Sequence, residues 1–517
     1  TGYDFLVQTE FLHELRIRTV SSGEVRAATG DVYAVQFGTE TLALTFSAWH
    51  TLIGQLPSQT TVVLLNANGE IASPISACNA QGGMLAFAIE ENRFAVAYGE
   101  STEEARARAN TGLAMSIEAN INQRLMTYEQ LPHLADADDD RFLRKCFSVM
   151  KVNALSAEGE FQQHWSTPDR VPHRDMWLWD SVFHSLAMNK VDAELSWEYL
   201  KTILDRQSVD GMISHQFKPN GWCSTITQPP ILAWGIWENY QSDPSPNHLA
   251  YAADRLAAYL QWDQDNRDQN HNGLMEWFIE ENENCRSGES GMDNSQRFDE
   301  ALLLDAVDFS VFAALDMGYL SRIYIELGDE EHGGYWKTKS TQLSTAIHTK
   351  LWNEEVGFYL DRKLNGNFSP VQAVTGFLPL LLEDFPVKRL QPMIETLLDE
   401  TRFNTAFPIP SAALNTPDFS TDMWRGATWI NMNYLVAMGF AKQGHDDLAK
   451  KIRTKTIDIV KEYFEHTGII YEFYDACNQR PPFECDRKGP RQAPYNIRSK
   501  MDSIRDYHWS AALCFLM

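Results

Sequence analysis

The sequence predicts a mainly helical chain: a toroid of paired antiparallel helices preceded by a β-sandwich-like domain. Three observations carry that reading. Of the 15 tryptophans, only Trp49 falls in the first 160 residues. The same early part is rich in β-branched and aromatic runs separated by close turns. From about residue 139 onward, apolar residues recur at helical spacing in segment after segment.

Taken in order, residues 32–54 and 61–66 read as strands, with an Asn68-Gly69 tight turn after the second run. Residues 84–98 read as a hairpin around Glu90–Asn92. Ser101-x-x-Glu104 has the form of a capping box and opens a helix predicted through about residue 126. Helices follow over 140–156, 178–190, 193–206, 230–242, 245–263, 299–327, 330–352, 388–400, 424–442 and 445–466. No fixed-period repeat supports a solenoid, so the toroid is preferred. The expected division is 1–125 for the β domain, a linker helix to about 138, and 139–517 for the helical domain. A toroid gathers its loops at one end, where a pocket can form.

Composition narrows the function classes. The 517 residues include 70 acidic and 44 basic side chains, for a net charge of -26. That balance argues against a nucleic-acid partner, which clustered Lys and Arg would serve. It argues equally against an anionic membrane surface. No run of about 18 apolar residues predicts a transmembrane helix. The seven cysteines are scattered and contain no CxxC pair, so neither a zinc site nor a disulfide framework is expected. A Cys477–Cys485 bridge is the one alternative. The compartment stays open, and a monomer or simple homo-oligomer is expected.

Four clusters could carry chemistry. His173-Arg174-Asp175-Met176-Trp177-Leu178-Trp179-Asp180 puts indoles beside a carboxylate at a helix start, which suits sugar recognition; the alternative is a core aromatic pair with a dipole-favoured Asp. Glu289 to Asp299 sets Asp293 among small residues, downstream of Glu276 and Trp277; Asp293 is a candidate general acid or a plain helix cap. Asp422 to Asn431 combines Trp424, Arg425, Gly426 and Trp429, or simply begins a well-packed helix. Tyr471-Glu472-Phe473-Tyr474-Asp475 precedes His508-Trp509; strand alternation would put Glu472 and Tyr474 on one face.

The order of these segments resembles glycoside hydrolase family 63 and its clan relatives, including the trehalase family. The matching stretches are WLWDSVFH at 177–184, QPP at 228–230, SGMDNSQRFD at 290–299, WRGATWINMNYL at 424–435, YEFYD at 471–475 and HWSAAL at 508–513. The resemblance implies an (α/α)6 barrel and an inverting, exo-acting α-glycosidase that releases a monosaccharide, with glucose the expected sugar. It implies Asp293 as general acid and Glu472 as general base, with carboxyls roughly 6.5–9.5 Å apart. Trp177, Trp179, Asp180, Gln228, Trp234, Trp277, Trp424, Arg425 and Trp509 are then candidates to hold a small carbohydrate. Rival readings are another sugar enzyme on this toroid (a phosphorylase, lyase or epimerase) or a non-catalytic carbohydrate-binding protein.

No cofactor is required by this chemistry. Asp268-x-Asn270-x-Asn272-Gly273 resembles a calcium loop, and some family relatives bind calcium in a similar segment, which makes a structural calcium the metal expectation. An Asx-rich turn is the alternative. Two departures from the family pattern stand out. Gln296 replaces a usual Pro beside the acid. Residues 477–500 carry Arg480, Arg487, Lys488, Arg491, Arg498 and Lys500 against only Glu484 and Asp486. This basic loop either borders the leaving-group side and meets an anionic aglycone, or pairs with the acidic body of the protein.

Overall fold

In the computed structural model, the described residues are 4–8, 14–19, 21–65, 75–78, 83–171, 173–491 and 501–517. The expected Asn68-Gly69 turn, and Arg498 and Lys500, lie outside them. The chain divides into two compact units, Thr1–Val152 and Asn153–Met517.

Among the described residues, the first unit has ten strands: β1 Asp4–Gln8, β2 Glu14–Arg18, β3 Glu24–Ala28, β4 Val32–Phe37, β5 Glu40–Ala48, β6 Thr51–Gln55, β7 Thr61–Leu65, β8 Ile75–Cys78, β9 Met84–Glu90 and β10 Arg93–Gly99. They form one sheet in the order β1-β2-β7 and a second in the order β3-β4-β5-β6-β10-β9-β8. Leu15, Ile17 and Leu64 of the small sheet share a buried core with Val35, Leu42, Leu44 and Phe94 of the large one, the face-to-face packing of a sandwich. The opposite face of the large sheet presents Ala43, Ala86, Ala95 and Ala97 to Ala105 and Ala109. These small residues let a helix lie close. The single helix expected over 101–126 is two helices, α1 (Thr102–Ala114) and α2 (Ile117–Glu129). Ser116 restarts the helix by accepting a hydrogen bond from the Ala119 amide. Helix α3 (Ala137–Val152), expected in the helical domain, belongs instead to the first unit, where Lys151 pairs with Asp31 at 2.9 Å and Phe147 packs on Tyr128.

The second unit contains α4 (Leu178–Met188), α5 (Ala193–Leu204), α6 (Leu232–Ser242), α7 (Pro246–Asn266), α8 (Val307–Glu326), α9 (Glu330–Lys350), α10 (Leu390–Leu398), α11 (Ile430–Lys442), α12 (Asp446–Thr467) and α13 (His508–Leu516). An inner ring closes on itself: α4 packs on α6, α6 on α8, α8 on a 3-10 segment (Val374–Leu381), that segment on α11, α11 on α13, and α13 on α4. Helices α5, α7, α9 and α12 back onto inner members, which is the paired-helix toroid that the sequence predicts. Burial follows the layers: every residue of α4 is buried. Helix α12 buries only a stripe that includes Ile452, Thr456, Ile459 and Val460.

Two helix starts differ from expectation. Residues 299–306 precede α8 without joining it, and Leu304 and Asp305 pair as a short strand with Arg362 and Lys363. Helix α11 begins at Ile430 rather than 424, because Met423–Arg425 form a 3-10 turn that ends on Gly426 at φ +155°.

Candidate active site

The N-terminal ends of the inner helices gather around one cavity of about 250 Å³. Trp177, Trp179 and Asp180 come from the start of α4, and Gln228 from the loop before α6. Trp424 and Trp429 precede α11, and Tyr507 and Trp509 open α13. Helix N-termini concentrate partial positive charge, which favours a site lined with carboxylates.

Trp424 stacks on Trp429 with centroids 3.8 Å apart. Trp179 meets Trp509 edge-on at 5.3 Å, and Trp429 meets Trp509 at 5.8 Å. The indoles therefore brace one another into a rigid wall that can face the CH surface of a sugar. Gly291 stands against this wall at φ +70°; a Cβ there would meet the Trp179 ring at 2.4 Å. The loop carrying Asp293 can approach the tryptophan only because position 291 has no side chain.

Asp293 and Glu472, 179 positions apart in the chain, line the same cavity. The Asp293 loop is anchored behind by Glu289, which pairs with Arg267 at 2.7 Å and accepts amides from Thr227 and Phe278. Asn294 donates to the Asp422 carboxylate at 3.0 Å and accepts from the Trp424 amide at 3.1 Å. Gln296, the departure from the usual Pro, donates to the Arg425 carbonyl at 2.7 Å and so joins the same two segments through its side chain. Glu472 is held by its backbone between Ile504 and the Thr428–Tyr474 bridge. Its carboxylate takes a two-point contact from Arg487, Nε to Oε2 at 2.8 Å and Nη2 to Oε1 at 3.1 Å. The neighbouring Lys488 places its ammonium 2.5 Å from Asp293 Oδ2. Asp180 is buried, and its Oδ1 has no partner among the described residues. Burial, reinforced by the charges of Glu472, Asp169 and Asp293 and opposed by a backbone hydrogen bond, pushes its carboxyl well above the usual range.

Of the substrate-holding candidates, Trp177, Trp179, Asp180, Gln228, Trp424 and Trp509 line the cavity with the two carboxylates. Three stand behind it. Trp234 packs on Phe183, which in turn supports Trp179 and Trp509. Trp277 stacks on Phe309 and donates to Asp308, one of two carboxylates that enclose the buried Arg297. Arg425 pairs with Asp299 rather than facing a ligand. The strand alternation expected at 471–474 does not occur: the Tyr474 hydroxyl accepts the Tyr471 amide at 2.9 Å and the two rings touch. The basic loop divides as well. Arg487 and Lys488 enter the cavity, whereas Arg480 pairs with Asp486 on the loop itself.

The oxygens of the calcium-like segment are turned onto its own backbone amides. Asp268 accepts the amides of Asn272 and Gly273, Asn270 accepts that of Asn272, and Asn272 accepts that of Leu274, all at 2.9 Å. The Asn270 and Asn272 side-chain amides both donate to Asp305. These bonds are those of an Asx-rich turn, and each accepting oxygen keeps a second lone pair that a calcium ion could use. Among the described residues, no group of three His, Cys, Asp or Glu side chains is placed to hold a metal. Cys477 and Cys485 are free thiols.

Sequence reading passed over several cavity residues. His215, Glu280, Cys285 and Tyr507 all line it. Tyr507 lies one position before the HWSAAL match, so adjacency could have found it. His215 and Cys285 carry no such signal.

Comparison with known proteins adds the following. Residues 172–510 match the model of the mannosylglycerate hydrolase MGH1-like glycoside hydrolase domain. Mannosylglycerate hydrolase MGH1 of Selaginella moellendorffii is 26% identical over 447 residues, covering 68% of this chain and 88% of that protein. The crystal structure of a family 63 mannosylglycerate hydrolase from Thermus thermophilus in complex with glucose has a TM-score of 0.57 at 24% identity. It covers 72% of this chain and 99% of that one. Neutral trehalase Nth1 from Saccharomyces cerevisiae shares the fold at a TM-score of 0.52 and 14% identity, covering 77% and 83%.

Proposed function

The chain belongs to the mannosylglycerate hydrolase MGH1-like family of glycoside hydrolases, and from that premise we propose that it is an exo-acting, inverting α-glycosidase acting on one sugar linked to a small carboxylate such as glycerate. Family membership makes it a glycosidase. It sets aside the phosphorylase, lyase, epimerase and non-catalytic binder.

The observation that carries the finer reading is Lys488 beside Asp293. An acid at Asp293 hands its proton to the oxygen of the departing group, so it faces the aglycone. An ammonium 2.5 Å from its Oδ2 therefore borders the aglycone too. A cation there suits a carboxylate on the leaving group and gives a neutral one nothing comparable. Glu472 is the base that draws a proton from water on the other face of the sugar, with Arg487 fixing its orientation. Asp180, favoured in its neutral form, can donate to or accept from a sugar hydroxyl. A cavity of about 250 Å³ suits a small glycoside rather than a long chain.

The relatives' names put mannose first as the sugar. Glucose, expected from the sequence, is the second reading and is favoured by the glucose bound in the Thermus structure. Incubation with α-mannosyl and α-glucosyl D-glycerate should release the sugar, with the β anomer appearing first by proton NMR. Release of the α anomer first overturns inversion. Equal kcat/KM for glycerate and uncharged glycerol glycosides overturns the anionic aglycone.

A further inference from the structure

We propose that Lys488 is a lock on the acid that an anionic aglycone opens. The free enzyme holds Asp293 as a carboxylate in an ion pair, and the substrate's own carboxylate draws the ammonium away so that Asp293 can take up the proton hydrolysis needs. This rests on the aglycone reading above and adds to it: charge on the aglycone becomes a condition for turnover as well as an aid to binding.

The ion pair is the starting point. A general acid must carry a proton, and a carboxylate engaged by an ammonium at 2.5 Å has none to give. The loop that presents the ammonium is built into the site. The Asp422 carboxylate accepts the Lys488 amide at 2.6 Å and the Gly489 amide at 3.0 Å. Lys488 itself sits at φ +53°. Asp422 is also the acceptor for Asn294, next to Asp293. Backbone, acid and lysine are thus tied to one carboxylate, and only the flexible lysine side chain needs to move.

Among the described residues lining the cavity, His173 pairs with Asp169, and Arg487 is the other guanidinium or ammonium whose charge reaches Asp293. Arg487 is committed to Glu472 through two of its nitrogens. Burial pushes His215 down to about 4, so it is neutral at working pH. Burial and the Asp293 charge push the Cys285 thiol up, so it too is neutral. Glu280, Glu472 and Asp180 are carboxyl groups lining the same cavity. Burial opposes the charge on Lys488, and the Asp293 carboxylate outweighs it, so the lysine stays an ammonium and is available to a new anion. The proton balance is simple. One proton enters from solvent when the aglycone binds and leaves on the departing oxygen. The proton of the attacking water passes to Glu472.

Calorimetric titration of the whole protein with D-glycerate, in buffers of different ionisation enthalpy, reads the lock directly. Wild type should take up about one proton per site bound, as one ionisable group changes state. K488M and D293N should take up none. In turnover, K488M should raise kcat on a neutral glycerol glycoside and shrink the kcat ratio of glycerate to glycerol glycosides by about tenfold or more, within the range general acid catalysis supplies. K488R, which keeps the charge, should retain the ratio. Thermal melts, with K488Q as a second neutral variant, separate misfolding from unlocking. Glycerate binding without proton uptake, or an unchanged kcat ratio in folded K488M, overturns the lock alone. A wild type with no preference for glycerate glycosides overturns the aglycone reading and the lock with it.

Discussion

At the scale of single residues, the two carboxylates and the two bases facing them make the sharpest claims. D293N and E472Q each keep shape and hydrogen-bonding capacity but cannot exchange the proton. Each is expected to lower kcat by about 10²–10⁴-fold in protein that still folds. A D293N protein with near-native kcat sinks the acid assignment. Beneath the wall, His184 and His508 stack in parallel with centroids 3.6 Å apart. Burial lowers both, His508 to about 3. The unfolded chain protonates its histidines near pH 6.5 while the folded one does not. Their stabilisation is therefore full above that pH and is lost progressively as pH falls toward 3. The stability difference between wild type and H508Q should accordingly shrink by up to about 1.4 kcal/mol for each pH unit from 6.5 to 5, read from urea midpoints. A difference independent of pH would mean that His508 is already charged in the fold.

At the scale of elements, helix α6 depends on a neighbour for its start. Ile231 offers it no side-chain cap, and the Asp316 carboxylate of α8 accepts the Ala233 and Trp234 amides, both at 2.9 Å. D316A leaves those amides buried without an acceptor and should cost about 1–3 kcal/mol. D316N, which keeps one oxygen, should recover part of that in thermal melts. Elements are also where sequence legibility is clearest. Strong periodicity places α5, α7, α9 and α12 to within a few residues, because amphipathic spacing is a local property. The 3-10 segment Val374–Leu381 escapes such reading: it is fully buried and contains Pro379, so it shows neither amphipathic spacing nor an uninterrupted helical run. Its place in the inner ring comes from its neighbours. The site divides similarly. Asp293, Glu472 and six of the nine substrate-holding candidates are legible through motif order. The pairing of Lys488 with Asp293 is not, because a loop charge looks alike whether it faces solvent, an acidic surface or a cavity.

At the scale of the whole molecule, the net charge of -26 sets a field that the proposed anionic glycoside must cross. At low salt that field repels; raising ionic strength shortens the Debye length from about 30 Å at 10 mM to about 8 Å at 150 mM. Repulsion from the distant surface is then screened before the close attraction of Lys488 is. kcat/KM for a glycerate glycoside should rise over this range while a glycerol glycoside shows no change. A fall would mean that the local cation dominates even at long range. The ring itself has a further consequence. Its first and sixth helices are neighbours in space, and His508 Nδ1 meets the Thr167 carbonyl across 341 positions of chain. Ribosomal synthesis delivers α4 long before α13, so every shorter nascent chain has the indole wall without Trp509 and a gap beside α4. Such an open ring exposes apolar surface of the kind chaperones bind. The pocket is thus finished only when this late helix docks, and the ability to bind sugar doubles as a report that translation reached that point.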